Sequence, residues 1–463
     1  MAHMKKTRFS AYFGEGAFYR TVWIVMIPVM LQQFVSAAFS FVDSVMLANV
    51  NEFAMSAIAV ANKPAMIYNA LFFGFTGAAC LLISQYHGAG RLEVCQRIFS
   101  VEVILGFALS FLFATALFLF SEPIMRMFVK DRYTIEAGVS YLRIISWMYV
   151  PMSLSLVCLF SLRAIGVTVL PMVVSFATIV LSVAFEWILI FGKFGLPRLG
   201  VRGAALGALI ARVIEMCIYA FAFLRKKTEY QLNIASAFQI GKPVFFDYMR
   251  KTIPLSANEL LWGFGQIAIF WAYAKVGEAS LPAINVMDQV VNVSAVPIHA
   301  INAAVAVLVG RKLGANRFEE ARQNTKRLYG FSLILSLGCI GIAVLLAQLV
   351  GHIFSSLTEE HLMLTRQFIY LMSFFFPASA AYVLSFLTLR AGGDAKRSLL
   401  LDSGYLWSVP VPTALFIGFF LPDKISIFHV VMAIQVLQGL KLIIALKVVK
   451  RGTWLQNLTR EHA

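Results

Sequence analysis

Charge is scarce in this chain of 463 residues. Asp, Glu, Lys and Arg together make up 13% of it, with 23 acids against 39 basic residues. A soluble domain carries about 25% charged residues, so a globular water-facing surface is excluded. Cysteine is sparser still. Cys80, Cys95, Cys158, Cys217 and Cys339 stand singly, in or beside apolar segments. No two have metal-ligand spacing, which argues against both a zinc site and a disulfide framework. HExxH, GxSxG and P-loop patterns are absent, so there is no sign of an enzyme or an ATP-driven pump. No cofactor is expected.

Apolar length is abundant. The chain is 60% hydrophobic, with a mean hydropathy of +0.79. Runs of about 20 apolar residues recur from end to end, each long enough to cross a hydrocarbon core of roughly 30 Å. Twelve spans are expected, near 21–45, 57–84, 98–120, 137–160, 168–191, 203–224, 252–274, 283–309, 328–350, 367–389, 399–420 and 426–448. The opening MAHM reads as a vector-derived leader before a natural start at Met4. No cleavable signal peptide is expected, because the first apolar run is already span-length.

The formal net charge of +16 could point to nucleic acid. Topology accounts for it better. With both termini in the cytoplasm, most Lys and Arg fall on the inner face, as the positive-inside rule requires. The clusters are KKTR at 5–8, RKK at 225–227 with Arg250 and Lys251, and the loop with Arg311, Lys312, Arg317, Arg322, Lys326 and Arg327. Anionic lipid headgroups are the expected partner, not nucleic acid. The expected location is the plasma (inner) membrane, as a monomer.

An internal repeat runs through the chain. Pro28 falls on Pro254, a spacing of 226 residues, and at the same spacing ANVNEFAMSAIAV (48–60) falls on AKVGEASLPAINV (274–286). HGAGRLE (87–93) falls on LGANRFE (313–319), and Pro151 on Pro377. One inserted residue later SLRAIG (161–166) meets TLRAGG (388–393). Each copy holds six spans, an even number, so both copies point the same way through the membrane. The expected fold is an all-α integral membrane protein with twelve transmembrane helices. They form two parallel-repeat six-helix lobes, 1–230 and 231–463, around a central cleft.

Several stretches, in order, resemble those of the multidrug and toxic compound extrusion (MATE) family of the MOP flippase superfamily. They are FVDSVMLANV, SQYHGAGR, FEWILIFGKFGLPRLGVRGAALGALIAR (185–212), IPLSANELLW (253–262), LVGRKLGANRFEEAR, LRAGGDAKRS and DSGYLWSVPVP (402–412). The resemblance implies secondary export of small organic, often cationic, compounds against protons or sodium. It also implies kinship with flippases of lipid-linked sugars. A flippase or exporter of lipid-linked or anionic precursors is the alternative, and a basic cleft would favour it.

Ionisable residues inside spans are costly and mark function. Asp43 lies about 22 residues, or roughly 33 Å, along span one from its inner end, in the outer half. Glu186 lies roughly 27 Å along span five, also in the outer half. In one branch of the family an Asp stands at the Glu186 point and shares a cavity with the first-helix acid. Ser182 replaces that branch's usual Asn. Two facing carboxylates do not both ionise readily, so one would hold a proton. Glu259 in span seven and Asp288 in span eight complete the expected coupling set, and Asp288 aligns with Asn62 in a partly buried polar setting. Asn62, Trp262, Asn258 and Gln33 are the substrate-binding candidates, Trp262 because it shares a helix face with Glu259 as an aromatic cage for a cation. Asp402 reads as a helix-start residue, Arg163, Arg390 and Asp394 as inner-loop anchors, and Arg212 with Glu215 as an intrahelical pair. The tenth span (367–389) carries no acid, whereas the sodium-linked branch of the family carries one there, so the resemblance tilts slightly towards protons as the coupling ion.

Overall fold

The computed structural model describes residues 12–48, 57–58, 60–129, 131–224, 229, 231, 233–354, 358–422 and 424–459, without the side chains of 38, 40–48 and 278. Every regular element among them is helical. The chain forms two compact units, Leu31–Thr252 and Met1–Met30 with Ile253–Ala463. The divisions fall within the helices Gly16–Ala48 and Lys242–Gly277, close to their internal prolines Pro28 and Pro254.

Ten helices among the described residues are long and apolar enough to cross a membrane, and an eleventh span is completed by a bent pair. The helix Lys242–Gly277, which contains the span expected at 252–274, falls outside this set. Its Asn258, Glu259, Gln266, glycines and tryptophans dilute its hydropathy.

Several expected spans are broken, and proline explains where. The run 367–389 is two helices, Glu359–Phe374 and Phe376–Ala391, bent by 49°. Pro377 lies in the first turn of the second helix, where its missing N–H costs no helical bond. The run 283–309 splits at Ala295 into Leu281–Ser294 and Val296–Val305, with Pro297 in the same first-turn position. Two single π-helical turns follow the same logic of local relief, at Ala306–Gly310 and Leu400–Gly404. Side-chain caps mark other starts. Asp131 accepts from Thr134 N at 2.8 Å and from Thr134 Oγ1 at 2.7 Å. These bonds favour the charged form and hold its carboxyl below the ordinary aspartate value.

Apolar residues cannot drive association strongly inside lipid, so close backbone approach through small residues has to do it. In the unit Leu31–Thr252 this is clearest between Val169–Phe191 and Val201–Leu224. A Cβ on Gly203 would lie 2.6 Å from the carbonyl oxygen of Leu189, and one on Gly207 would lie 2.6 Å from the backbone nitrogen of Glu186. Gly192 closes the first of these helices in the left-handed region (φ 67°), which a glycine adopts without strain. The other unit has two apolar cores. One joins Phe18, Val22, Val25 and Met26 to Leu308, Leu328, Leu384 and Ala445. The second is built around Ile269, Met287, Ala343, Phe368, Leu406 and Ile434.

Gly203→Val should force the two helices apart and cost about 1–3 kcal/mol, as overpacking does. Gly77→Ala, where an added Cβ meets nothing within 4 Å, should be neutral or slightly stabilising. Thermal unfolding in detergent checks both. An unchanged midpoint for Gly203→Val would contradict the close approach.

Candidate functional site

Each unit buries a polar cluster, and the two clusters are related through the repeat. In the unit containing Ile253–Ala463, Asn258 is fully buried on the Lys242–Gly277 helix. Its Nδ2 donates to Asp402 Oδ2 at 3.1 Å. Ser403 Oγ donates to Asn258 Oδ1 at 2.9 Å and to its carbonyl oxygen at 2.7 Å. Tyr382 OH donates to Asp402 Oδ1 at 2.6 Å, and Lys441 Nζ lies 3.3 Å from the same oxygen. The lysine also sits over the Tyr382 ring, 3.7 Å from its centroid. One residue on from Asn258, Glu259 is ion-paired with Arg390, whose guanidinium stacks over Phe386 at 4.1 Å. Both acids of this cluster are therefore neutralised by the chain's own cations.

In the unit Leu31–Thr252, Gln32 occupies the repeat position of Asn258, and Ser175 that of Asp402. The hydrogen bond is retained, with Gln32 Nε2 donating to Ser175 Oγ at 2.5 Å. Arg163, the counterpart of Arg390, donates to Gln32 Oε1 at 2.6 Å and meets no carboxylate among the described residues. The same scaffold thus holds amide and hydroxyl groups where the other unit holds carboxylates.

The buried acids of this unit lie elsewhere and are bound differently. Glu186 is 2% exposed, beneath Gly207, and accepts from Ser182 Oγ at 2.6 Å. Glu102, on the helix Leu92–Leu119, is fully buried and accepts from Ser161 Oγ at 3.4 Å. Its Oε1 has no partner among the described residues. Arg212 pairs with Glu215 at 2.7 Å, as the spacing on one helix predicts.

The other expected site residues fare unevenly. The Asp43 side chain lies outside the described residues, so its pairing with Glu186 does too. Asp288 is surface-accessible and makes no hydrogen bond or ion pair among the described residues. Asn62 is exposed, with Tyr141 OH 3.5 Å from its Oδ1, and Trp262 is 43% exposed. Gln33 is half-buried and makes no hydrogen bond among the described residues, whereas its neighbour Gln32 carries the network. Asp402 is corrected most. It is no helix-start residue but sits in the π turn Leu400–Gly404 as a buried hub. Arg390 likewise belongs to the last turn of a helix, not to a loop. Asp394 does anchor locally, capping Ala395–Leu399 and meeting Arg397 at 2.9 Å.

Sequence reading passed over Lys441 and Glu102. Both stand as single charges within apolar runs, LQGLKLIIAL and FSVEVILGF, and that isolation was the available signal.

The MatE family model matches residues 28–188 and again residues 254–411, the two copies beginning at the paired prolines. An uncharacterized transporter of Bacillus subtilis, YisQ, is 23% identical over 399 residues, 86% of each chain. A probable multidrug resistance protein of Thermotoga maritima, NorM, is 24% identical over 396 residues, 84% of this chain and 83% of its own. The fold matches the outward-facing structure of a multidrug resistance MATE family transporter of the MOP superfamily, with a TM-score of 0.83 at 16% identity, covering 96% of this chain and 98% of that one. It matches equally a MOP superfamily transporter from Pyrococcus furiosus, described as having a binding pocket of reverse polarity, with a TM-score of 0.84 at 16% identity and the same coverage. Two ordered matches to one model, one in each half of a chain of apolar helices, establish that this chain belongs to the MatE family of membrane transporters.

Proposed function

We propose that the protein is a multidrug efflux antiporter that exports organic cations in exchange for protons, with Glu186 and Asp43 as the proton-carrying groups. The kinship with a protein described as a probable multidrug resistance protein supports export of drugs. In this reading the Lys242–Gly277 helix also crosses the membrane. Twelve spans then form two six-helix lobes, and transport follows alternating access to a cleft between them.

One observation carries the choice of group. Glu186 is buried against a serine hydroxyl, whereas Glu259 and Asp402 are held by Arg390 and Lys441. A hydroxyl both donates and accepts, so it satisfies a carboxylate and a carboxylic acid equally well. Protonating Glu186 leaves that partner content. Protonating an ion-paired acid strands its cation in an apolar interior, at a cost of about 3–5 kcal/mol. Acids that must load and unload a proton are therefore best partnered as Glu186 is.

A cationic drug and a proton compete for the same negative charge. Loading the acid with a proton from outside releases the drug, and losing it inside resets the site. Coupling needs only that each occupant weaken the other. The competing reading, export or flipping of an anionic lipid-linked precursor, draws support from Arg163, a cation that among the described residues meets Gln32 and the Phe160 ring but no carboxylate. Uptake into inverted vesicles separates the two, since an organic cation is carried in the first case and an anionic lipid precursor in the second.

In proteoliposomes, Glu186→Gln and Asp43→Asn are each expected to abolish drug-dependent proton movement. Unchanged transport in both variants rejects the assignment. The ion-paired unit predicts a different signature, in stability. Arg390→Met should cost about 3–5 kcal/mol by stranding Glu259, and Glu259→Gln/Arg390→Met should recover most of the loss. Thermal unfolding of the three proteins provides the comparison, and equal midpoints for the single and double variants would contradict it.

A further inference from the structure

Lys441 lies on the helix Ile427–Lys450, about 14 Å along the axis from Lys450, so its ammonium sits well inside an apolar span. The groups around it are fixed without its help. Tyr382 OH and Asn258 Nδ2 orient the Asp402 carboxylate, Ser403 orients Asn258, and the π turn Leu400–Gly404 presents the acid. Single π turns recur where a helix is reshaped for function. A preset carboxylate beside an aromatic face is the chemistry of a site for one organic cation. The remaining charged groups that face it, Glu259 and Arg390, cancel one another. The site therefore needs one positive charge, and the chain supplies it from within.

We propose that Asp402 and Tyr382 form a cation-exchange site in which Lys441 is the resident occupant and a transported organic cation its competitor. The incoming cation pairs with Asp402 and covers the Tyr382 ring. The displaced Lys441 ammonium, now without a counter-charge, gives its proton to water and becomes a neutral amine. One positive charge enters and one leaves, so the apolar interior never holds an uncompensated acid. Return of a proton to Lys441 restores the pair and expels the cation. With Asp402 7% and Lys441 8% exposed, exchange in kind is the inexpensive route, because an empty intermediate would leave a bare buried carboxylate. The inference rests on the reading of the protein as a cation exporter driven by protons, and it adds an exchange site in the other unit from Glu186.

The test uses the purified full chain in lightly buffered detergent, titrated with ethidium. Fluorescence reports binding, and a pH-indicator dye reports protons released per cation bound. Wild type is expected to release one more proton per ethidium than Lys441→Met. Lys441→Arg keeps the buried pair intact and its guanidinium does not deprotonate. It should fold normally, release one proton fewer per ethidium than wild type and bind ethidium at least tenfold more weakly. Asp402→Asn/Lys441→Met, which strands no charge, should bind at least tenfold more weakly than Lys441→Met. Proton release equal to wild type in both Lys441 variants would overturn the proposal. The same measurement on Glu186→Gln separates the two readings. Loss there with none at Lys441 overturns this site alone, and loss at Lys441 with none at Glu186 overturns the assignment of Glu186 alone.

Discussion

A charge inside an apolar span must be matched, and the partner it finds determines what it can do. A carboxylate beside an arginine is stable and hard to protonate, because the arginine would be left bare. A carboxylate beside a serine hydroxyl is less firmly anchored but free to change its proton occupancy. This chain uses both arrangements, and the unit Leu31–Thr252 holds hydroxyl-bound acids as well as the Arg212–Glu215 pair. Glu259 and Asp402 are closed by Arg390 and Lys441, while Glu186 and Glu102 rest on Ser182 and Ser161. The repeat makes the contrast direct. Asn258 with Asp402 and Gln32 with Ser175 are the same hydrogen bond in the same register, with an acid in one copy and a hydroxyl in the other.

The backbone around these clusters is arranged to admit them. Where helices must lie close, as at Gly203 and Gly207, a glycine removes the side chain that would hold them apart. The second of these glycines presses on the backbone of Glu186 itself, so packing and chemistry meet at one residue. Where a span must bend, a proline supplies a start without an N–H to satisfy, as at Pro377 and Pro297. Where a polar side chain must project from an apolar helix, a π turn changes the local register, as it does at Asp402.

Much of the fold could be read from the residues. Span-length apolar runs, the constant register from Pro28 and Pro254 onward and the ordered family motifs all led to an all-helical membrane transporter, as the structure and its relatives show. The site was legible only in part. Glu186 stood out as a lone acid in the apolar run FEWILIFG, and the Arg212–Glu215 pair was readable because their spacing shares a helix face. Pairings across the fold were not readable. Nothing local to DSGYLW says that Lys441, 39 residues on, closes on Asp402, and nothing in LRAGG says that Arg390 reaches Glu259. Gln32, one position from the substrate-binding candidate Gln33 and so about 100° around the helix, carries the hydrogen bonds. Asp43 stands at the repeat position of Ile269, which is 3% exposed in an apolar core, so the scaffold itself demands no acid there.

The division between hydroxyl-held and cation-held acids is tested most directly by infrared difference spectroscopy across a pH titration of the detergent-purified protein. A carboxylic acid C=O band should grow as the pH falls and lose a component in Glu186→Gln. The same component should be unchanged in Glu259→Gln, because Arg390 already pairs with that carboxylate. A band lost in Glu259→Gln and retained in Glu186→Gln would contradict the account.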